Sequence, residues 1–301
     1  MFQRGRVPPR LSLPPVAEEA LTHTLEACAA RWRAYQAAEV DMSVDPSDDM
    51  LVDTPEGRAH YRLVGLRALE VLTDAMVLAG RPRPSRILDL PCGGGRVTRH
   101  LVRFFPEAEV VVSDIDAQKV AAVTRQFGLR AITASADFTA PLPEPFDLIF
   151  VGSLVTHFDR TLYLRALDTL LDGLAPGGVL VLTTTGRSWA AEAEAREVKA
   201  GLPPRAWWSP AATLLSGGRY RSSGVRAAIR GGYASGGFGY TEVRSWTRRY
   251  GRSYGSSWAS PSWLMRQVER RADVRILALK ERGFDALLDA LILQRLVPAK
   301  S

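Results

Sequence analysis

Residues 87–98 read ILDLPCGGGRVT, and this stretch decides the fold. Its first four residues form a short apolar run of the kind that makes a buried strand, and the glycines that follow end it. A helical pattern then begins at Val97 and continues through Leu101 and Phe104. A strand, a glycine-rich turn and a helix in this order let a ligand approach the backbone closely. The glycine spacing alone is shared by several nucleotide-binding folds.

The rest of the chain repeats this alternation of short apolar runs and helical patterns. Further strands are predicted at 110–114, 130–134, 146–152 and 179–185. The sequence PGG at 176–178 is expected to break the chain before the last of these. Apolar strands that alternate with helices predict a parallel sheet covered on both faces. Two later strands, 274–279 and 289–296, have no room between them for a crossover helix and are predicted to form an antiparallel hairpin.

The predicted fold class is therefore α/β, with a doubly wound, Rossmann-like and mostly parallel sheet. Helical patterns at 16–40 and 54–79 precede the sheet, and GRPRP at 80–84 ends them. We expect an N-terminal helical extension or lid over 1–84 and the sheet domain over 85–301. Residues 187–262, rich in glycine, arginine and aromatic side chains, are predicted to be an insertion after the fifth strand, partly helical near its start.

The composition is that of an ordinary globular protein. Of 301 residues, 46% are hydrophobic and 24% charged, which excludes a mostly disordered chain and a collagen-like fibre. No apolar run approaches the roughly 18 residues that cross a bilayer, and prolines interrupt the basic N-terminus, a poor signal peptide. Two cysteines, Cys28 and Cys92, are too few for a disulfide framework, so a cytoplasmic location is expected. With four histidines at no ligand-like spacing, no metal site is predicted.

Positive charge is concentrated in the second half of the chain. Residues 1–150 hold 17 basic and 20 acidic residues, whereas 151–301 hold 22 and 12. Fourteen basic residues face three acidic ones between Lys199 and Arg275. This balance predicts a neutral or anionic partner for that segment. Most of the cations are arginines throughout the chain, a bias that genome composition also produces, so nucleic acid is not the expected partner.

Two carboxylates beside the glycine-rich turn sharpen the prediction. Asp114 ends the second strand at the position where a doubly wound fold presents an acid to ribose hydroxyls. Asp89 ends the first strand beside the turn, where a dinucleotide would place its pyrophosphate and be repelled. S-adenosylmethionine instead brings an α-ammonium and a sulfonium, which a carboxylate favours. The sequence therefore predicts this methyl donor rather than NAD, with Ile115 beside Asp114 also in contact with it.

Other donor contacts are predicted around the same edge of the sheet. Asp137, after the third strand, is placed to accept a hydrogen bond from the adenine amino group, and Phe138 to pack on the ring; a solvated turn is the alternative for Asp137. A helix N-cap is the alternative role for both Asp114 and Asp116, and Asp116 is the better candidate for it. The remaining predicted donor contacts are Pro91, Cys92, Gly93, Gly95, Arg96, Ser153 and Tyr61.

Three of these residues have alternative structural roles. Cys92 is expected to pack against the turn rather than to react, since nothing nearby marks a base for it. Arg96 is placed to reach the donor carboxylate or to remain solvated in the first helical turn. Tyr61 is predicted to fold over the donor as part of a lid, with core packing as the equal alternative.

Several segments together resemble the class I S-adenosylmethionine-dependent methyltransferases, over about residues 50–297. DLPCGGGRV at 89–97 is similar to the Asp-Leu-Pro-Cys-Gly-x-Gly-Arg-Val motif of a bacterial group in this class. The other matching segments are FDLIFVGSLVTHFD (146–159), PGGVLVLTTTGR (176–187), YGRSYGSSWASPSWL (250–264) and ERGFDALLDALILQR (281–295). The resemblance implies a seven-stranded sheet whose last strand is antiparallel.

The chain departs from this pattern at two places. Pro91 stands where the wider superfamily has its first glycine, a feature that the bacterial group shares. Phe284 and Leu287–Leu288 stand where the group has Trp and a His-Gln pair, which puts an acceptor-site role of that C-terminal stretch in doubt.

The side chains predicted to do the chemistry follow the fourth strand and lie in the insertion. His157 is the best-placed general base for an acceptor that must lose a proton, with Asp159 to orient its imidazole. A structural role, bonding a backbone carbonyl or capping the next helix, is equally open for His157. Tyr250 and Tyr254 are predicted to line the acceptor pocket, because they lie in the YGRSYGSS segment.

The function predicted from the sequence is methyl transfer to a small-molecule, glycan or lipid-linked acceptor. An RNA methyltransferase that grips phosphates with the insertion is a second hypothesis, although residues 152–155 read GSLV rather than the N/D-P-P-Y type of base-amine methylases. A third hypothesis is a non-catalytic S-adenosylmethionine-binding protein. A fourth, an NAD-dependent oxidoreductase, is disfavoured by the charge of Asp89.

Overall fold

The computed structural model describes residues 18–200, 222–243, 246, 250 and 253–297. Its main sheet has seven strands in the order β3-β2-β1-β4-β5-β9-β8. These are β1 Arg86–Asp89, β2 Glu109–Val112, β3 Arg130–Ala131, β4 Phe146–Val151, β5 Leu174–Thr184, β8 Val274–Phe284 and β9 Leu288–Arg295. A separate antiparallel pair consists of β6 Phe238–Glu242 and β7 Gly255–Ala259.

Strands β1 to β5 pair in parallel, and β9 is antiparallel to both of its neighbours, β5 and β8. The predicted doubly wound sheet and its terminal hairpin are therefore confirmed. The carboxyl ends of β1, β2 and β4 meet at one edge of the sheet, next to the point where the strand order reverses. Open α/β sheets bind their ligands at this edge.

Helices flank the sheet and precede it. They are α1 Glu18–Gln36, α2 Pro55–Ala79, α3 Thr98–Phe104, α4 Ala117–Phe127, α5 Arg160–Asp172, α6 Arg187–Ala200, α7 Ser222–Ala227 and α8 Pro261–Val268. A π-helical segment, Ala228–Tyr233, continues α7. Several boundaries follow from caps: the Thr54 hydroxyl accepts from the Gly57 N–H ahead of α2, and Asp116 caps α4 as expected. None of the helices in the described residues is long and apolar enough to cross a membrane.

Three strands differ clearly from the prediction. β8 continues to Phe284 rather than ending at residue 279. β3 ends at Ala131 rather than residue 134. β5 begins at Leu174, before the predicted break: Leu174 pairs with Phe146 and Val179 with Leu148, so residues 175–178 bulge out of the ladder. Gly177 takes a φ of +79° in this bulge, a conformation that glycine adopts without steric cost. The PGG sequence is thus a bulge within the strand, not its boundary.

Helix α2 belongs to the core of the sheet. Its Leu69 and Leu72 are fully buried and lie in one cluster with Ile87 of β1, Phe150 of β4 and Ile292 of β9. The opposite face of the sheet is covered by side chains of α5 and α8, which form a second cluster: Leu162, Leu167, Leu171, Trp263 and Leu264. The predicted N-terminal extension therefore contributes a layer that covers the sheet.

This packing predicts a contrast between two leucines of α2. Leu72→Ala is expected to lower the free energy of unfolding by about 2–5 kcal/mol, because it leaves a cavity against the sheet. Leu63 lies on the outer side of the same helix and is 42% exposed. Leu63→Ala is therefore expected to change the free energy of unfolding by less than about 0.5 kcal/mol. Urea unfolding followed by circular dichroism measures both, and equal losses would show that α2 does not pack as described.

Candidate active site

The glycine loop joins the end of β1 to α3. Gly93 and Gly95 have φ angles of +52° and +82°, and a Cβ on Gly95 would lie 3.1 Å from Phe127. The Leu90–Pro91 peptide is cis. The Cys92 N–H donates to the Ser113 carbonyl at 2.9 Å and ties the loop to the end of β2. Both predicted glycines thus occupy positions that disfavour any side chain.

Cys92 is a packing residue. Its side chain is buried against Val112 and Val123, and burial raises the pKa of its thiol. A thiol that stays protonated is a poor nucleophile. Cys92 therefore supports the glycine loop from beneath, as expected from the sequence.

Asp89 is buried at the carboxyl end of β1, with 1% of its surface exposed. Its Oδ2 accepts a hydrogen bond from the Thr98 hydroxyl at 2.6 Å. The pKa of Asp89 is raised to about 7: burial is the main cause, the Thr98 hydrogen bond opposes it, and the nearby charge of Asp114 adds to it. Asp89 is therefore a negative charge that the protein stabilises incompletely.

Asp114 lies just beyond the end of β2, at the same edge of the sheet. Its Oδ2 accepts from the Gly93 N–H at 2.8 Å and its Oδ1 from the Asp116 N–H at 2.9 Å. Each oxygen retains a second lone pair for a further hydrogen bond. Burial raises the pKa of this carboxyl. Ile115, the next residue, is 52% exposed and presents an apolar surface beside the acid.

Asp137 lies in the turn after β3. Its Oδ1 accepts from the Ser135 hydroxyl and from the N–H and hydroxyl of Thr139, at 3.2 and 2.7 Å for the latter two. These bonds hold the pKa of this exposed carboxyl at about 2, so it is ionised. The sequence prediction for Phe138 differs from the structure: its ring is buried and packs edge-on against Phe158 at 5.8 Å. With a φ of +54° at Phe138, the ring lies in the hydrophobic core.

Residues 41–50, which we call the strap, pack on the glycine loop, a feature that the sequence analysis missed. Asp48 is buried and packs against the backbone of Gly94. A Cβ atom on Gly94 would lie only 2.3 Å from the carboxyl carbon of Asp48, so a larger residue at 94 would clash with the strap. The Arg99 guanidinium donates to the carbonyls of Asp41 and Ser43, both at 2.7 Å. These contacts fix the strap against the loop and α3.

The strap is also paired to α4. Lys119 Nζ lies 2.6 Å from Asp49 Oδ1, and the Gln126 side-chain amide donates to Asp41 at 2.8 Å. The sequence signal for these pairings is the run of acids at 45–49, in which Asp49 and Asp45 have cationic partners 70 and 80 residues further along the chain.

Tyr61 supports the strap from α2. Its hydroxyl donates to Asp48 Oδ2 at 2.5 Å, and only 1% of its surface is exposed. The guanidinium groups of Arg99 and Arg96 lie 5.3 and 5.9 Å from the centre of its ring. Of the two roles predicted for Tyr61, the structure therefore has packing in the protein interior. Arg96 is half-buried beside it, and burial lowers its pKa.

Ser153 lies at the tip of β4 in a strained conformation. Its φ is +57°, which is uncommon for a residue other than glycine. Its N–H donates to the Thr183 hydroxyl at 2.7 Å, and its carbonyl accepts from the Thr156 hydroxyl at 3.0 Å. Strain of this kind concentrates at functional sites.

His157 follows Ser153 in a short 3₁₀ turn, Val155–His157. Its Nδ1 lies 3.1 Å from the Gly255 carbonyl oxygen and donates to it, since a carbonyl only accepts. Burial lowers the pKa of the imidazole to about 4, so it is neutral at pH 7. The predicted orienting role of Asp159 is wrong, because its carboxylate caps α5 by accepting from the Leu162 N–H at 2.8 Å.

His157 belongs to a group of rings that we call the aromatic cluster, with Trp246, Tyr250 and Tyr254. Tyr254 stacks on His157 at 13° and 6.0 Å, and Trp246 meets the imidazole edge-on at 4.7 Å. Tyr250 lies 5.1 Å from Tyr254. The structure therefore brings together the three residues predicted to do the chemistry and adds Trp246, one of many aromatic residues in the insertion.

Comparison with known proteins agrees with this geometry. Residues 87–178, which include the glycine loop and strands β1 to β4, match the family model described as a methyltransferase domain. The sheet, the loop and this match identify the segment as a class I S-adenosylmethionine-dependent methyltransferase domain.

The particular relatives match over part of their length. A trans-aconitate 2-methyltransferase of Streptomyces avermitilis is 33% identical over 34% of this chain and 40% of its own. A malonyl-[acyl-carrier protein] O-methyltransferase of Methylococcus capsulatus is 30% identical over 49% of this chain and 58% of its own. A ubiquinone biosynthesis O-methyltransferase of Xanthomonas euvesicatoria is 32% identical over 41% and 51%, respectively. The chain thus spans about half the length of the relatives it matches.

The burial of Asp89 predicts opposite effects of one substitution on stability and on binding. Above pH 7, Asp89→Asn removes a buried charge and is expected to raise the free energy of unfolding. At about 1.4 kcal/mol for each pH unit between the unfolded and folded pKa values, the gain is at most about 4 kcal/mol. It should vanish below pH 4, where the carboxyl is protonated in both states. The same variant should bind a cationic ligand of the loop at least about tenfold more weakly.

Asp147→Asn is the matched control: Asp147 lies near the start of β4, at the opposite edge of the sheet, and accepts from the N–H groups of Ser85 and Arg86 at the start of β1. Urea unfolding at pH 4 and pH 8 measures the first effect and calorimetry the second. A lower free energy of unfolding at pH 8 in the Asp89→Asn variant than in the wild type would contradict the conclusion that the ionised Asp89 carboxylate destabilises the folded protein.

Proposed function

We propose that this protein transfers a methyl group from S-adenosylmethionine to a small-molecule acceptor. The observation that carries the proposal is the pair of carboxylates, Asp89 and Asp114, at neighbouring strand ends beside the glycine loop. Two acids there repel a pyrophosphate and attract a ligand that carries positive charge and sugar hydroxyls.

The residues at the carboxyl ends of the strands fit each part of this donor. The backbone of Gly93 and Gly95 would hold the amino-acid end, with Asp89 supplying the charge that its α-ammonium needs. Asp114 would accept from the ribose hydroxyls with its remaining lone pairs. Asp137 would accept from the adenine amino group, and the exposed side chain of Ile115 would cover a face of the base.

When bound, the donor supplies a methyl group already activated by a positively charged sulfur. The work left to the protein is to align the acceptor and to exclude water. Ser153, fixed by Thr183, and His157 form the edge of the site at the tip of β4. Because Nδ1 of His157 donates to Gly255, its other ring nitrogen is the one able to take a proton.

The low pKa of the His157 imidazole restricts the kind of acceptor that this site suits. An imidazole with a pKa of about 4 is a weak base at pH 7 and suits an acceptor that attacks without first losing a tightly held proton. A carboxylate is such an acceptor. The names of two relatives refer to trans-aconitate and to a malonyl group, both of which bear carboxylates. The excess of basic residues in 151–301 also favours an anionic acceptor.

Calorimetry at pH 8 with S-adenosylmethionine, S-adenosylhomocysteine and NADH tests the donor. We expect the wild-type protein to bind the first two and not the third. Asp114→Ala should weaken donor binding at least about tenfold, because two hydrogen bonds to the ribose are lost. Asp168→Ala, on the exposed surface of α5, is the control and should bind as the wild type does. Binding of NADH without either adenosyl ligand would overturn the proposal.

Donor affinity should also depend on pH through Asp89. Only the ionised carboxylate attracts the ammonium, and its pKa in the free protein is about 7. The affinity for S-adenosylmethionine is therefore expected to rise about tenfold between pH 6 and pH 8. Titrations in the Asp89→Asn variant should show no such rise. An affinity that falls over this range in the wild type would show that Asp89 does not contact the donor.

A further inference from the structure

A row of rings crosses the tips of β3 and β4. Phe138, after β3, contacts Phe158, after β4, with ring centres 5.8 Å apart. Phe158 contacts Tyr254 at 5.3 Å, and Tyr254 contacts Tyr250 at 5.1 Å. The first two rings belong to the sheet domain and the last two to the insertion, so the row joins these parts of the chain.

Backbone contacts fix the insertion to the β4 tip. Phe158 and Tyr254 form an antiparallel bridge, and the Asp159 N–H donates to the Ser253 carbonyl at 3.1 Å. The His157 imidazole donates to the carbonyl of Gly255, on the other side of Tyr254. Residues 253–255 are thus paired with 157–159 residue by residue, and the position of Tyr254 is determined by the loop after β4.

The other end of the row lies beside the acid assigned to the ribose. Tyr254 is half-buried, and this burial together with the charge of Asp114 raises the pKa of its phenol. Tyr250 and Asp114 are both charge neighbours of Lys119, the residue that pairs with Asp49 of the strap. The tyrosines therefore lie near the residues that follow β2, β3 and β4, where an adenosine would lie.

A second group of apolar residues in the insertion packs elsewhere. Trp258 is buried with Ala190 of α6 and with Val225, Ala228 and Ile229 of the helical segment before β6, and Tyr233 packs against this group. These contacts are made within the insertion after β5 and include none of the rings in the row. The insertion thus has two parts with different neighbours.

We propose that Tyr250 and Tyr254 form the outer wall of the nucleoside site of the methyl donor, rather than the acceptor pocket. This inference rests on the proposed function. Ile115 lies beside Asp114 with its apolar side chain exposed, and the phenol rings supply a second apolar surface near the same acid. Aromatic rings stack on nucleobases whatever the base, and a base enclosed on both faces is shielded from water.

The test uses 5′-deoxy-5′-methylthioadenosine, which carries the nucleoside of the donor without its amino-acid end. Calorimetry with this probe and with S-adenosylmethionine is expected to show about tenfold weaker binding of both to Tyr254→Ala. Tyr254→Phe, which keeps the ring, should retain most of the affinity. Tyr233→Ala is the matched control, a tyrosine of the other part of the insertion, and should leave the affinity for the probe unchanged.

The contrary result is equally specific. If a folded Tyr254→Ala variant binds both the probe and S-adenosylmethionine as the wild type does, the tyrosines do not form a wall of the nucleoside site and the inference is wrong. Tyr250→Ala, at a half-buried position, replaces Tyr254→Ala if that variant fails to fold, and the same loss is expected. A wild-type protein that binds neither S-adenosylmethionine nor the probe would overturn the proposed function itself.

Discussion

The carboxylate of Asp89 is buried at the end of β1, where the Thr98 hydroxyl donates to it and the charge of Asp114 opposes it. Burial without a cationic partner among the residues that the structure describes leaves the ionised form unstable, which is why the pKa of Asp89 reaches about 7. The folded protein loses stability by holding this charge, and under the proposed function the ammonium group of the donor compensates for it. The glycine loop and α3 lie beside this group, and the strap packs in turn on the loop and α3, so this part of the protein holds a buried charge at the expense of stability.

The N-terminal helical region is part of the site as well as of the core. The strap binds the glycine loop through Asp48 and is held by cations of α3 and α4, Arg99 and Lys119. Tyr61 links it to α2, which itself packs on the sheet. The geometry of the loop thus depends on segments that precede the first strand by some forty residues. A division of the chain at residue 84 separates groups that pack together.

The sequence predicted what depends on local pattern. The strands, the glycines of positive φ and the acids at the ends of β1 and β2 follow from periodicity and spacing along the chain, and the structure has them close to the expected positions, with different bounds for β3, β5 and β8. It did not predict contacts that depend on backbone direction: the left-handed conformation of Phe138 directs its ring into the core, and Asp159 caps a helix instead of reaching His157. Pairings such as Lys119 with Asp49 join residues far apart in sequence and leave no periodic signal.

The position of β9 has a consequence for how the chain folds during translation. β9 lies between β5 and β8, yet it is synthesised after β8 and after the whole insertion. Until it emerges from the ribosome, the backbone groups along one side of β5 and the apolar surface that Ile292 will cover stay exposed. Unpaired strand edges of this kind promote aggregation and attract chaperones. Completion of the sheet is therefore a late, long-range event in the synthesis of this chain.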